Sequence, residues 1–576
     1  MAMLDRRIVT DMKRTIALRI LFGEQPMIAC LLLWISNAMR KTGLMQLLKC
    51  STVTRGGWVH YGFGATLAAL LLRSLQSLLY GSRAARMKQL KARVKAAQTY
   101  EEWETAAKEV EHLQHAGKPN WENELFDSEL VQHRLQVLQA NRLSGDVGEM
   151  MFALRADLLR SLGNMTQEQL HHRVTVPSLI RNYIAEVRLQ LKLVTDELDL
   201  QVDEKLTFLQ EMRHAFGRTA LMLSGAGMHG AFHLGVIKGL LNHDQLPRVV
   251  AGSSVGAIVS AFVATRTPQE LNLAFSDEHF HVTGSQLAFF NGQTLSGALA
   301  HMARRGAAAL YDYGFFKRRI HALLGDLTFQ EAYDRSGGRI LCVSVCPTTK
   351  GEETFLLNHL SAPHCVVWSA IAASCAFPGM FPPQTLLSKN RQGQLSTWKP
   401  AGSGGEEETF SWHDGLVQEE APIKGLRELF NVNYFIVSQT IPYITTILQM
   451  KKTVCSSGGL YLKLADAWEL EFKHRLKQLT DMAPWMDAFG MARVLQQQWE
   501  GDVSVVMPPR LGACLMMERS TPSDLYQVAQ QGERSAWAKL AAIETSCSIE
   551  SQLDECVAQL KQKQRQASLL GYLELS

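Results

Sequence analysis

Apolar positions change their spacing along the 576-residue chain, and the changes divide it into four parts. Over residues 1–97, aliphatic runs are broken by single basic residues. Two of these runs, 27–39 and 58–72, fall short of the roughly 20 apolar residues needed to cross hydrocarbon, so they read as interfacial or re-entrant segments. Two buried core helices are the competing reading. Residues 98–200 repeat Leu, Ala, Glu and Arg at helical spacing, which predicts a helical accessory unit. It opens at Thr99-Tyr100-Glu101-Glu102, which has the form of a capping box. From 218 to 445 the pattern changes to short apolar runs at 219–224, 248–251, 339–345 and 433–439, alternating with helical stretches. Short continuous strands between helices predict an α/β body with a mainly parallel sheet covered on both faces. The polar, glycine-rich stretch 389–409 reads as a surface insertion, and 446–576 as a helical region closing in a charged helix around 552–566.

Charge sharpens the division. The whole chain carries +4, yet residues 1–100 hold 16 Lys and Arg against 3 Asp and Glu, so the rest must be acidic. A basic, apolar arm on an acidic body suits an anionic lipid surface. Nucleic acid ranks lower as a partner, because the basic residues are interleaved with aliphatic runs instead of a stacking platform. The 10 cysteines show no C-x-x-C pair and no zinc spacing, which predicts reduced, intracellular cysteine used as small apolar side chains.

Candidate chemistry sits in three places. Gly252-Ser253-Ser254-Val255-Gly256 fits G-x-S-x-G between a predicted strand and a predicted helix, the setting of a nucleophile elbow. Gly252 and Gly256 would let the backbone bend so that the Ser254 hydroxyl stands above a helix N-terminus. Upstream, Gly225-Ala226-Gly227-Met228-His229-Gly230 follows a strand and opens a helix. It also fits a dinucleotide fingerprint, but no acidic residue ends the next strand, since Asp244 precedes it. The remaining use is an oxyanion loop whose amides converge on one oxygen. Downstream, His413-Asp414-Gly415 offers a base for Ser254. His413 and Asp414 are chain neighbours, and adjacent side chains on an extended segment point to opposite faces. Asp414 acting directly on Ser254 is therefore the better reading, with His413 as a flanking residue and Gly415 leaving room. This chemistry needs no metal or cofactor.

The three motifs in this order resemble the patatin-like phospholipase family. The resemblance implies a three-layer α/β fold with a mainly parallel sheet, a Ser254–Asp414 dyad without histidine, and an oxyanion loop at Gly225, Ala226, Gly227, Met228, His229 and Gly230. The family often has Gly where this chain has Ala226, Arg or Lys at His229, and Gly or Ala at Leu416. Three further segments are similar to the eukaryotic intracellular triacylglycerol lipase branch of yeast lipid-droplet lipases and the plant sugar-dependent lipase. They are Trp368-Ser-Ala-Ile-Ala-Ala-Ser-Cys-Ala-Phe-Pro-Gly379, Gly501-Asp502-Val503-Ser504-Val505 and Gly532-Glu533-Arg534-Ser535-Ala536-Trp537. Tyr100-Glu101-Glu102-Trp103 resembles the start of the accessory domain in that branch. The likeness implies hydrolysis of acylglycerol at a lipid droplet or endoplasmic reticulum surface. A phospholipase A or lysophospholipase, an acyltransferase and an inactive lipid-surface scaffold stay open as alternatives. One H-x-x-x-x-D spacing, His321 to Asp326, is what chance predicts among 18 histidines and carries no weight.

Overall fold

The computed structural model describes residues 85–115, 126–166, 170, 174–225, 229–286, 313–348, 354–377, 381–400, 410–415, 421–441, 444–445, 448, 459–482, 500–508 and 522–575. The chain forms two compact units, 1–89 and 90–576, and every element labelled below belongs to the second. The apolar segments 27–39 and 58–72 lie outside the described residues. Among the described residues, no helix is long and apolar enough to cross a membrane.

Five helices open this unit: α1 (Tyr100–His115), α2 (Ser128–Ser144), α3 (Val147–Asp157), α4 (Ser178–Asp196) and α5 (Val202–Phe216). Their ends follow ordinary capping chemistry. Asp127 accepts the Leu130 N–H at the start of α2, and Gly145 closes that helix at φ 75°. The box expected at Thr99 forms only in part. The Glu102 N–H donates to Thr99 Oγ1 at 3.4 Å, but the Glu102 carboxylate reaches one residue further back, to the Gln98 N–H. On α4 the buried Ile180, Tyr183, Ile184, Val187, Leu191 and Val194 recur at helical spacing and face the neighbouring helices.

The body is a seven-stranded sheet in the order β4-β3-β2-β1-β8-β9, built from β1 (Arg218–Leu223), β2 (Val249–Gly252), β3 (Ile340–Pro347), β4 (Phe355–Leu357), β8 (Val432–Gln439) and β9 (Val503–Val506), with β7 (Trp412–Asp414) pairing with β3 off this order. β1, β2, β3, β8 and β9 pair in parallel, and β4 runs antiparallel beside β3. Strand alternation separates two cores. Leu221, Val250 and Ile436 pack with α6 (Gly230–Leu241) and α7 (Val255–Ala264), and Leu341, Val343 and Val345 pack with α7 and with the later helices α10 (Tyr313–Leu324) and α12 (Val367–Ser374); the short α8 (Pro268–Phe275), α9 (Phe280–Gln286) and α11 (Phe329–Arg335) lie between these in the chain. Ala220, Val249, Ala251, Cys342 and Phe435 face the other way, onto α13 (Ala421–Phe430). The result is a three-layer α/β arrangement. Two short strands, the half-buried β5 (Leu387–Lys389) and the exposed β6 (Leu395–Thr397), make a separate hairpin that begins just before the expected insertion and ends inside it.

The C-terminal region departs from the sequence expectation. It is helical in α14 (Gly459–Met482) and in the 54-residue α15 (Pro522–Leu575), but it also supplies β9, an edge strand of the sheet. Four residues with Ser504 among three valines are too few to distinguish a strand from a loop in the sequence. α15 lies along α6, and at the crossing a side chain on Gly532 would meet the Phe232 carbonyl oxygen. The residues around it explain the Gly532 to Trp537 motif. Glu533 pairs with Lys238 of α6 at 3.3 Å, Arg534 bonds the Lys95 carbonyl and Gln98, and the Trp537 ring lies 6.4 Å from Trp103 of α1. The Asp502 carboxylate accepts the Phe435 N–H at 2.7 Å, fixing the chain just before β9 to β8.

A buried ionic cluster joins the first helices to α15 and β1. Arg160 pairs with Glu550 at 2.9 Å and also donates to Thr219 Oγ1, the Gly217 carbonyl and the Ser546 carbonyl. Arg213 of α5 pairs with Glu550 and Asp554. Removing one partner from such a cluster strands the others in a low-dielectric setting. Arg160→Met should therefore lower the stability of the body by about 3–5 kcal/mol in urea unfolding. A loss below about 1 kcal/mol would mean that the cluster behaves as an exposed ion pair.

Candidate active site

β2 ends at Gly252, and the chain turns through Ser253 and Ser254 directly into α7. Ser254 has φ 53° and ψ −126°, a conformation that costs a non-glycine residue about 1–3 kcal/mol and persists only where its surroundings enforce it. The enforcement is close backbone packing. A Cβ on Gly252 would meet the backbone of Gly256, and one on Gly256 would meet the Leu223 carbonyl oxygen at the tip of β1. α7 is buried on every side. The Ser254 side chain makes no capping bond to that helix, and the residue stays partly exposed.

A second constraint comes from α12. The Ser254 N–H donates to Ser374 Oγ at 3.1 Å, and Ser374 Oγ donates in turn to the Ser344 carbonyl of β3 at 2.9 Å. The fully buried Ser374 thus pins the turn to β3. Its neighbour Cys375 bonds Ser254 and lies within the field of Asp414. Burial, and then the Asp414 carboxylate, hold the Cys375 thiol well above the usual thiol range, while its hydrogen bond with Ser254 works the other way. Ala376 completes the segment by accepting the Asp414 N–H at 3.2 Å.

Asp414 is brought to this place by strand pairing. Val343 of β3 pairs with Gly252 on one edge and with Leu357 of β4 on the other. Two residues further on, Val345 pairs with Phe355 of β4 and with Asp414 of β7 (Trp412–Asp414). β7 therefore continues the lane that β2 vacates. Gly252 and Asp414 face each other end to end, offset by two positions along β3, roughly 7 Å along the strand. The pairing also fixes orientation. Asp414 is opposite Val345 and, like Trp412, lies on the face covered by α7 and α12. Asp414 is fully buried. His413 points to the opposite face, with its Nδ1 3.3 Å from the Asp414 carbonyl, and burial lowers its pKa. Gly415 follows Asp414 where a Cβ would come within 2.8 Å of the Ser344 side chain and carbonyl oxygen.

Ala226, Gly227 and Met228 of the glycine loop lie outside the described residues, but both ends of the loop are described. Gly230 sits where a Cβ would strike Val255, the first residue of α7. Gly225 and His229 are buried. The loop root is tied to β8 and α6. The Ser224 N–H donates to the Ser438 carbonyl, and His233 of α6 has Nε2 2.9 Å from the Ser224 carbonyl and Nδ1 2.8 Å from Ser438 Oγ. Burial, with neighbouring His229 adding to it, pushes the His233 pKa down to about 4 against the opposing effect of its hydrogen bond to the Ser224 carbonyl. In the sequence, Ser374, Cys375 and Ala376 carry no sign of these contacts beyond the family likeness of their segment, and His233 is one residue of an apolar helix. Apart from Ser224, 9 positions before His233, their partners are 30 to 207 positions away, beyond the reach of local pattern. His321 and Asp326 do pair, at 3.1 Å on the exposed end of α10, where Asp326 also accepts the Trp368 indole N–H. Among the described residues, no group of three or more His, Cys, Asp or Glu is placed to hold a metal ion.

Comparison with known proteins identifies the family to which the chain is similar. The family model "Patatin-like phospholipase" matches residues 221–426, from β1 through Asp414 to α13. A domain of unknown function (DUF3336) matches 80–214, the helical unit before β1. Triacylglycerol lipase SDP1L of Arabidopsis thaliana is 41% identical over 510 residues, covering 87% of this chain and 62% of the relative. Triacylglycerol lipase ptl3 of Schizosaccharomyces pombe is 30% identical, covering 80% of this chain and 95% of the relative. Triacylglycerol lipase 4 of Saccharomyces cerevisiae is 31% identical, covering 81% and 52%. The chain thus spans only about half to two thirds of the plant and budding-yeast proteins.

Two outcomes follow from this geometry. Ser374→Ala removes the acceptor of a part-buried N–H and the donor to a buried carbonyl, and should destabilise the body by about 1–3 kcal/mol in urea unfolding; an unchanged midpoint would show that the turn is held without it. His233 is buried neutral, so below its ordinary value of 6.5 the unfolded chain takes up a proton that the folded chain refuses. Stability should be flat above about pH 7 and fall as pH drops from 6.5 towards 4, by up to about 1.4 kcal/mol per pH unit from this residue. His233→Gln should show a shallower fall than the parent across that window; parallel curves would refute the assignment.

Proposed function

The chain belongs to the patatin-like phospholipase family, and on that footing we propose that it is a serine acyl hydrolase of neutral lipid, a triacylglycerol lipase. The observation that carries the chemistry is the shared lane beside β3, which sets the strained Ser254 turn end to end with buried Asp414. Ser254 Oγ attacks the ester carbonyl while Asp414 takes its proton. The resulting oxyanion is held by amides of the loop from Gly225 to Gly230 and by the N-terminal turn of α7. The Ser254 N–H is already engaged by Ser374, which leaves the loop as the main source of donors. Collapse expels the glyceride alkoxide, which takes the proton from Asp414. Water then gives its proton to Asp414 and attacks the acyl-enzyme, and the fatty acid departs as Ser254 regains its proton.

The substrate reading is supported by the relatives, which are named triacylglycerol lipases. A water-insoluble substrate requires delivery to a lipid surface, and we assign that task to the basic, apolar residues 1–97 acting at a lipid droplet or endoplasmic reticulum surface. We take 98–200 as the helical accessory domain, 218–445 as the catalytic domain and 446–576 as a C-terminal region that completes the sheet.

The test uses the purified full chain and emulsified triolein. Ser254→Ala and Asp414→Asn should each lower fatty acid release by at least about 1,000-fold. If either keeps a tenth of the parent rate, the dyad is wrong. Faster release from dioleoylphosphatidylcholine vesicles than from triolein would overturn the neutral-lipid reading while leaving the dyad intact.

A further inference from the structure

We propose that His233 is a positioning residue for the oxyanion loop, bracing the loop root from within α6. The inference rests on the reading that this loop supplies the oxyanion donors. Its chemistry follows from the partners. The Ser224 carbonyl can only accept, so the His233 nitrogen facing it, Nε2, carries the proton. The neutral ring then presents a lone pair at Nδ1, which accepts the Ser438 hydroxyl. Thr440 closes the network, with its N–H donated to Ser224 Oγ at 2.9 Å and its hydroxyl 3.2 Å from Ser224 Oγ and 3.3 Å from His233 Nε2. His233, Ser438 and Thr440 have no exposed surface.

The position of these bonds distinguishes a brace from an ordinary satisfied core histidine. His233 stands one turn into the helix that begins at Gly230, and Gly230 rests against the first residue of the elbow helix. Its Nε2–H returns to Ser224, the residue immediately before the loop. One side chain therefore ties the start of the loop to the helix that ends it. Ser438 and Thr440 anchor the same side chain to the end of β8, the strand beside β1. Fixing both ends of a short loop removes conformations that would scatter its amides, and pre-aimed donors need no reorganisation as charge develops. A fully buried site among Phe232, Leu234 and Val236 would accept an apolar side chain with less desolvation cost. Both ring nitrogens are engaged, so His233 takes no part in proton transfer.

The test measures kcat and KM of the full chain on p-nitrophenyl butyrate, a soluble ester that bypasses lipid binding. His233→Leu should lose about 10- to 100-fold in kcat with KM within about threefold of the parent. His233→Gln, whose amide can still donate to Ser224, should recover to within about fivefold of the parent kcat. Ser438→Ala keeps the imidazole and should lose about three- to tenfold, and it decides the matter alone if His233→Leu does not fold. The proposal is overturned if kcat stays within twofold of the parent in both His233→Leu and Ser438→Ala, if the loss appears in KM alone, or if His233→Gln is no better than His233→Leu. Ser254→Ala separates this from the underlying reading. An inactive Ser254→Ala beside an unimpaired His233→Leu rejects only the brace, whereas an active Ser254→Ala rejects the serine mechanism itself.

Discussion

One edge of β3 carries two strands in succession, and the site depends on that arrangement. β2 occupies the edge as far as Val343, and β7 takes it over at Val345 from the opposite direction. A strand that continued straight past Gly252 would fill the lane and exclude Asp414. The sharp turn at Ser254 is thus a condition for the second strand as well as a way to expose a hydroxyl. Its unfavourable φ is held by contacts that leave no slack. The tips of β1 and β2 lie against the first turn of α7, and Ser374 fixes the turn's own N–H to β3. Strain at one residue is sustained because several independent backbone contacts over-determine it.

The same economy extends to the helices. α6 has apolar contacts to the sheet, but it is positioned by α15, more than 280 residues later in the chain. Lys238 of α6 meets Glu533 of α15 inside this interface, and Arg534 and Trp537 carry the contact on to the stretch around Gln98 and Trp103. At the other end of α15, Glu550 and Asp554 gather Arg160 and Arg213 from the first helices. The N-terminal helices, the sheet and the C-terminal helix are therefore parts of one packed unit.

What the sequence made legible was whatever is encoded locally. G-x-S-x-G between an apolar run and a small-residue helix located the turn at Ser254, and four apolar runs located β1, β2, β3 and β8 to within two residues. β4, β7 and β9 are three or four residues long and depend on pairing partners rather than on their own pattern, so they could not be read. Asp414 was legible as a candidate only because Asp-Gly followed two other motifs, while the lane that places it is a property of β3. Ser374 and His233 show the general limit. Each is an ordinary residue in an apolar helix, and its role exists only through partners on other elements.

Two histidines near the site, His413 and His233, explain why a carboxylate is the better candidate for the base. His413 is adjacent to Asp414 in the chain, yet strand alternation turns it to the far face, and burial lowers its pKa. His233 lies on the correct side, one turn into α6, but both of its nitrogens are committed to Ser224 and Ser438. An imidazole with a pKa near 4, enclosed by fixed partners, is suited to hold geometry and unsuited to cycle a proton at neutral pH. Asp414 has the complementary properties. It is a buried carboxylate on the same face as the elbow helix, and its charge acts on Cys375, which bonds Ser254. On the proposed reading, then, histidine serves the oxyanion side of the reaction by bracing the loop, and the proton is left to an acid whose position is fixed by β3.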